Sequence, residues 1–168
     1  MFRIAFITAL FIASSSVAFG QKSASPEEMA TKAIKEVIEE ESRAFWARDF
    51  KNWQKLWVHE PYVVWTAASN TGVRQFYGWD SWKEEVESLF KESPDPIPYD
   101  GDVKKYNFNF RVYGDGAWVS FEQDNKGTTT YETRILEKHG GKWKIAAVQL
   151  FFNANEPEVM PAEEGVNE

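Results

Sequence analysis

The segment Glu132–Ile145, ETRILEKHGGKWKI, reads as two strands joined by a tight turn. Gly140-Gly141 suits a two-residue turn of the primed type, in which both central residues take positive φ. In that register His139 faces Lys142, Glu137 faces Lys144 and Leu136 faces Ile145. An unbroken ladder then sets Arg134 against Ala147 and Glu132 against Gln149. Side chains alternate along a strand, so Glu132, Arg134 and Leu136 share one face. That face is apolar near the turn, where Trp143 also falls, and two rungs further on it offers an ion pair, a small residue and an amide. A wet sheet face could carry the same charged pair. The apolar rungs favour the alternative, a cavity closed at one end.

On the same ladder the opposite face carries Tyr131, Ile135, Val148, Leu150 and Phe152. It is too apolar to leave in water, and a symmetric second copy of the chain is the simplest cover.

Working outward, VKKYNFNFRVY, GAWVSFEQ, TTYETRILEK and KWKIAAVQLFF are pieces of strand length. Turns at Gly114-Asp115-Gly116, Asn125-Lys126-Gly127 and Gly140-Gly141 join them into an antiparallel meander from Val103 to about Asn153. In the first piece Asn107, Asn109 and Arg111 alternate with Tyr106, Phe108 and Phe110, and either set could be the inner one.

Upstream the spacing changes from two to three and four. Ala30, Ala33, Ile34, Val37, Ile38, Ala44 and Phe45 form one helical stripe, opened by Ser25, Pro26 and the acidic Glu27 and Glu28. A short helix follows Asp49, with Trp53, Leu56 and Trp57 inward, and Pro61 is expected to open a strand, YVVWT. Trp79, Trp82, Val86, Leu89 and Phe90 mark a further helix from Gly78, which the cluster SPDPIPYDGD ends. Helices first and one curved sheet second make the class α+β.

The chain of 168 residues has room for one domain with a core. MFRIAFITALFIASSSVAFG has the basic start, short apolar run and small-residue end of a secretory signal peptide over residues 1–20, cleaved before Gln21. Its apolar run falls short of the roughly 20 residues of a spanning helix. The expected organisation is a signal peptide at 1–20, a linker at 21–26, the domain at 27–153 and an acidic disordered tail at 154–168. The protein is thus expected to be periplasmic or secreted, with no membrane insertion after signal removal.

There is no cysteine, hence no disulfide and no thiol nucleophile. Residues 1–20 hold one basic and no acidic side chain, so their removal takes the net charge from -7 to -8. That excess repels nucleic acid and anionic lipid. Two distant histidines, His59 and His139, make a zinc site an unlikely use of this sequence, and no metal or cofactor is expected.

A long N-terminal helix, a shorter one ending in WVHEPYVVW, a glycine-started helix GWDSWKEEV and a closing hairpin RILEK-turn-GKWKI resemble the nuclear transport factor 2-like superfamily. The similarity runs over about residues 27–153 and is nearest to SnoaL-like and ketosteroid-isomerase-like small domains. It implies a cone, with helices laid into a strongly bent mixed sheet around a pocket, and often a homodimer through the outer face. Members of that fold include isomerases, dehydratases and cyclases as well as proteins with no chemistry. Catalytic members with this architecture place an acid or base on the pocket wall. The matching inner positions of the last strand here are Ala147 and Gln149, and neither can act as a base.

The candidate pocket residues are Glu132, Arg134, Gln149, Glu122, His59, Trp57, Trp65 and Trp79. Glu122 could approach Arg134 from the neighbouring strand, and His59 could serve as a base near neutral pH. The leading expectation is an exported small-ligand-binding domain whose polar head site is Glu132, Arg134 and Gln149. The alternatives are an isomerase, dehydratase or cyclase using His59, Glu122 or Glu132 as base, and a dimeric interaction module with a filled pocket. On this reading Arg134→Met preserves folding and abolishes binding of anionic or carbonyl-bearing ligands.

Overall fold

A computed structural model describes residues 24–99 and 103–153. The expected signal peptide and its cleavage point, the first half of the linker and the tail at 154–168 lie outside the described residues. Helix α1 spans Pro26–Trp46 and begins with a complete capping box. The Ser25 hydroxyl accepts from the Glu28 amide at 3.1 Å, and the Ser25 amide donates to the Glu28 carboxylate at 2.6 Å. Two helix-end amides are satisfied in this way. Helix α2, Phe50–Trp53, runs into a 3-10 turn at Gln54–Leu56.

Strands β1 (Val64–Ser69) and β2 (Gly72–Tyr77) form a hairpin, followed by α3, Trp79–Glu92. Gly78 starts α3 with φ 81°, a conformation that costs a side chain-bearing residue but not glycine. Strands β3 (Val103–Tyr113), β4 (Gly116–Asn125), β5 (Thr128–His139) and β6 (Lys142–Phe152) make the meander. The six strands form one mixed sheet in the order β2-β1-β6-β5-β4-β3, with β1 parallel to β6 and every other pair antiparallel. The α+β expectation holds.

Three details depart from the sequence-based reading. Residues Glu60–Tyr62 form a turn, closed by the Val63 amide on the Glu60 carbonyl at 3.2 Å, so the strand expected at Pro61 starts at Val64. The β1–β2 hairpin around Asn70 went unread. In β3 the alternation slips between Tyr106 and Asn109, with Asn107 at φ 54°. Lys105 and Phe108 therefore point inward, while Tyr106 is exposed.

The larger departure is on β6. His139–Lys142, Glu137–Lys144 and Leu136–Ile145 pair as the Gly140-Gly141 turn dictates, but Ile135 then pairs with Ala147. Ala146 is an extra residue, a β-bulge, and every position beyond it changes face. The bulge sits where the chain after α2 docks: Trp57 bridges to Ile145, and the Val58 amide donates to the Ile145 carbonyl at 2.8 Å. Val148, Leu150 and Phe152 therefore face the helices, not a partner, and Gln149 is exposed on the outer face. The outer face instead carries Trp118, Tyr131, Ile135 and Phe151, each between 39% and 52% exposed.

The core occupies the turn end of the cone. Trp53, Trp57, Ile34 and Ile38 are fully buried there against Leu136, Ile145 and Val119. Trp53 stacks on Trp79 with centroids 5.7 Å apart and meets Trp57 and Trp82 at 5.7 and 5.9 Å.

Candidate functional site

Above that core the concave face of the sheet and the helices enclose a cavity of about 400 Å³. Its walls are mainly aromatic and aliphatic: Phe45 from α1, Trp65 from β1, Trp82 and Leu89 from α3, and Leu150 and Phe152 from β6. Trp65 and Trp82 stack with centroids 4.7 Å apart and planes 12° from parallel, forming one rigid wall. A deeper recess of about 110 Å³ shares Trp65, Trp82, Gln123 and Leu150 with the cavity and reaches Glu41, Glu132 and Arg134.

Those three charged side chains form one buried cluster. Arg134 donates to Glu132 Oε2 from Nε at 3.0 Å and Nη2 at 2.9 Å, and to Glu41 Oε2 from Nη1 at 2.7 Å. Burial disfavours the guanidinium charge, but Glu132 and Glu41 outweigh that and hold its pKa above the ordinary value. Glu41 Oε1 accepts from Trp53 Nε1 at 2.9 Å, tying the cluster to the tryptophan core. Glu132 is 3% exposed, and its Oε1 has no hydrogen-bonding partner. The same is true of Gln123 Oε1 and, as an unused donor, Trp82 Nε1. Buried polar atoms are usually paired, and three unpaired ones border this single recess.

A second polar group lies on the β3 side. The Lys105 side chain, with no exposed surface, donates to the Tyr99 hydroxyl at 2.5 Å and to Glu39 at 3.4 Å, and Tyr99 donates to Glu39 at 2.6 Å. Burial and then the Arg134 charge lower the Lys105 pKa, against the pull of Glu39, Glu132 and Glu41. Burial and the Glu39 bond raise that of Tyr99. Burial would also raise the Glu39 carboxyl, yet the Tyr99 bond and the Lys105 charge hold it below the ordinary value.

Of the eight candidates from sequence, Glu132, Arg134 and Trp65 come together at this site. Gln149 does not, because the bulge turns it outward. Glu122 is on the outer face, accepting from Asn107 Nδ2 at 2.8 Å, one residue out of phase with the inward Gln123. His59 is exposed, stacked on Trp79 at 4.1 Å, with Nε2 donating to the Gln54 carbonyl at 2.7 Å. Trp57 and Trp79 are core residues below the cavity. Glu41 was missed, although it lies seven residues after Ile34 and three after Ile38, on the same helical stripe. A carboxylate on an apolar stripe was the available signal.

Among the described residues no group of three or more His, Cys, Asp or Glu is placed to hold a metal ion. No described helix is long and apolar enough to cross a membrane.

No protein-family profile and no curated protein matches the sequence. Solved structures do match the fold. An NTF-2 like protein of unknown function from Silicibacter pomeroyi DSS-3 is 14% identical, with 76% of this chain and 98% of that one covered and a TM-score of 0.58. An NTF2-like protein of unknown function from Methylobacillus flagellatus KT is 15% identical over 78% and 96% of the two chains, TM-score 0.58. A cystatin-like fold protein from Burkholderia xenovorans LB400 is 19% identical over 74% and 92%, TM-score 0.56.

Proposed function

The chain has a nuclear transport factor 2-like fold, and from that premise we propose that it is an exported binding domain that takes a small, mainly apolar molecule into the cone. The observation that carries this reading is the cavity of about 400 Å³, aromatic along its walls, ending in a recess with unpaired polar atoms. That combination of size, apolar lining and few convergent polar groups is the usual form of a ligand site. The basic-then-apolar N-terminal segment supports export to the periplasm or beyond.

Catalysis would need a group that takes up a proton and a second that returns it. The residues lining the cavity and recess include no His, Cys, Lys or Tyr, and their carboxylates are already engaged: Glu41 and Glu132 by Arg134, Glu85 by Arg74 and Glu92 by the Ser88 hydroxyl. Binding is therefore the better reading.

The test is a thermal-shift and calorimetric screen of small aromatic and alicyclic compounds against the wild type and Leu150→Trp. Leu150 lines both the cavity and the recess, so an indole there fills the space a ligand needs. A compound that stabilises the wild type and not the variant supports the site. Equal stabilisation of both moves the binding elsewhere.

The outer sheet face supports a homodimer, with Trp118, Tyr131, Ile135 and Phe151 as its centre. Light scattering at micromolar concentration is expected to give twice the monomer mass for the wild type and the monomer mass for Phe151→Glu. A monomeric wild type would remove this part of the reading.

A further inference from the structure

We infer that the buried end of the ligand is an organic ammonium, carried on an apolar or aromatic body. This inference rests on the binding reading above and adds the charge and donor chemistry of what is bound.

The first reason is the charge balance. Arg134 is the one cation bonded to two carboxylates, Glu41 and Glu132. The neighbouring Lys105 is matched by Glu39. The charged side chains that line the recess itself are Arg134, Glu41 and Glu132, one positive and two negative, so the recess keeps one negative charge in excess, while Glu39 beyond it is met by Lys105 and Lys35. A buried charge without a partner is costly, and a cation arriving with the ligand removes that cost.

The second reason is which polar atoms are free. Two of the three unpaired atoms at the recess, Glu132 Oε1 and Gln123 Oε1, are acceptors on side chains 3% and 9% exposed, against one donor, Trp82 Nε1, and an ammonium offers three donors. Within the recess a carboxylate ligand would find no cation but Arg134, which is already bonded to two carboxylates. Arg134 gives its contacts to Glu132 and Glu41. Arg48 and Arg74 line the wider cavity but not the recess; Arg74 is paired with Glu85, and Arg48 donates from Nε and Nη1 to the Ser93 and Phe45 carbonyls. The stacked Trp65 and Trp82 beside the recess add ring faces that attract a cation.

Three probes sharing an indole body separate the possibilities: tryptamine with an ammonium end, tryptophol with a hydroxyl and indole-3-propionate with a carboxylate. Calorimetry on the full mature chain is expected to show tryptamine binding about tenfold tighter than tryptophol, with indole-3-propionate weaker still. Glu132→Gln keeps the Arg134–Glu41 pair and removes the free carboxylate oxygen. It is expected to cut the tryptamine advantage over tryptophol to about threefold or less. Gln123→Leu removes the second acceptor and gives an independent reading should the first variant fold poorly. Indole-3-propionate binding as tightly as tryptamine overturns the ammonium inference and leaves the cavity standing. An unchanged tryptamine preference in both variants does the same. If none of the three probes binds while neutral compounds still bind in a Leu150→Trp-sensitive way, the ammonium inference also falls alone. No compound binding at all removes both readings.

Discussion

Arg134→Met is expected to lower the stability of the domain by about 3–5 kcal/mol, a large share of the roughly 5–15 kcal/mol that holds a domain of this size together. Sequence reasoning predicts tolerance, on the ground that a buried ion pair is often replaceable by apolar side chains. The structure reverses that expectation, because the partner set has two carboxylates. Removing the guanidinium leaves Glu41, 6% exposed, and Glu132, 3% exposed, facing one another without a cation between them. Breaking one side of a buried ionic group costs far more than replacing the whole group, since the desolvated charges remain. The measurement is a urea melt of wild type, Arg134→Met and the triple variant Glu41→Leu, Glu132→Leu, Arg134→Met. The triple variant should recover most of the loss. An Arg134→Met variant within about 1 kcal/mol of wild type would show that the cluster is solvated, as an exposed pair would be.

Trp53→Ala is expected to cost about 3–5 kcal/mol through the cavity it opens, with a further loss from the bond it removes. Trp53 is fully buried where α2, α3 and the sheet converge, touching Trp57, Trp79, Trp82 and Phe90. Its Nε1 also donates to Glu41 Oε1, so truncation leaves a second unpaired carboxylate oxygen in the interior. Trp53→Phe helps to separate the two contributions, because it keeps a ring in the stack while losing the donor and only a smaller part of the packed volume. The phenylalanine variant should lose about 1–3 kcal/mol. The contrast is read as the difference in denaturation midpoints at constant slope. Equal losses for Ala and Phe would mean that the hydrogen bond to Glu41, and not the packing, sets the role of this residue.

The two predictions meet in one feature. The tryptophan core and the charged recess are joined through Glu41, which accepts from Trp53 with one oxygen and from Arg134 with the other. The recess is therefore tied directly to the buried tryptophan core. Such support holds the charged cluster in one geometry, which the proposed binding would use.

Local rules were enough for much of this protein. The change from three- and four-residue to two-residue periodicity after the Pro-rich break gave the α+β class, because amphipathic helices and half-buried strands repeat differently. Gly140 and Gly141, at φ 59° and 77°, set the register of the closing hairpin as far as Leu136 and Ile145, since a turn of that length leaves no other pairing. Alternation alone was enough to put Glu132 and Arg134 on the face that proved to be inward. Tertiary structure decided the rest. Ala146 bulges where Trp57 and Val58 dock on Ile145, a contact across almost ninety residues of chain, and that single extra residue exchanged Gln149 for Val148 and Leu150 in the cavity wall. The partner of Arg134 on the helix side came from Glu41, 93 residues away, and no periodicity within either element could pair them. Which tryptophans pack the core and which line the cavity was likewise settled by the docking of α3, which places Trp79 beneath Trp53 and Trp82 against Trp65. Periodicity and turn chemistry act over a few residues, whereas the bulge, the cluster and the cavity arise from surfaces that meet only once the chain has folded.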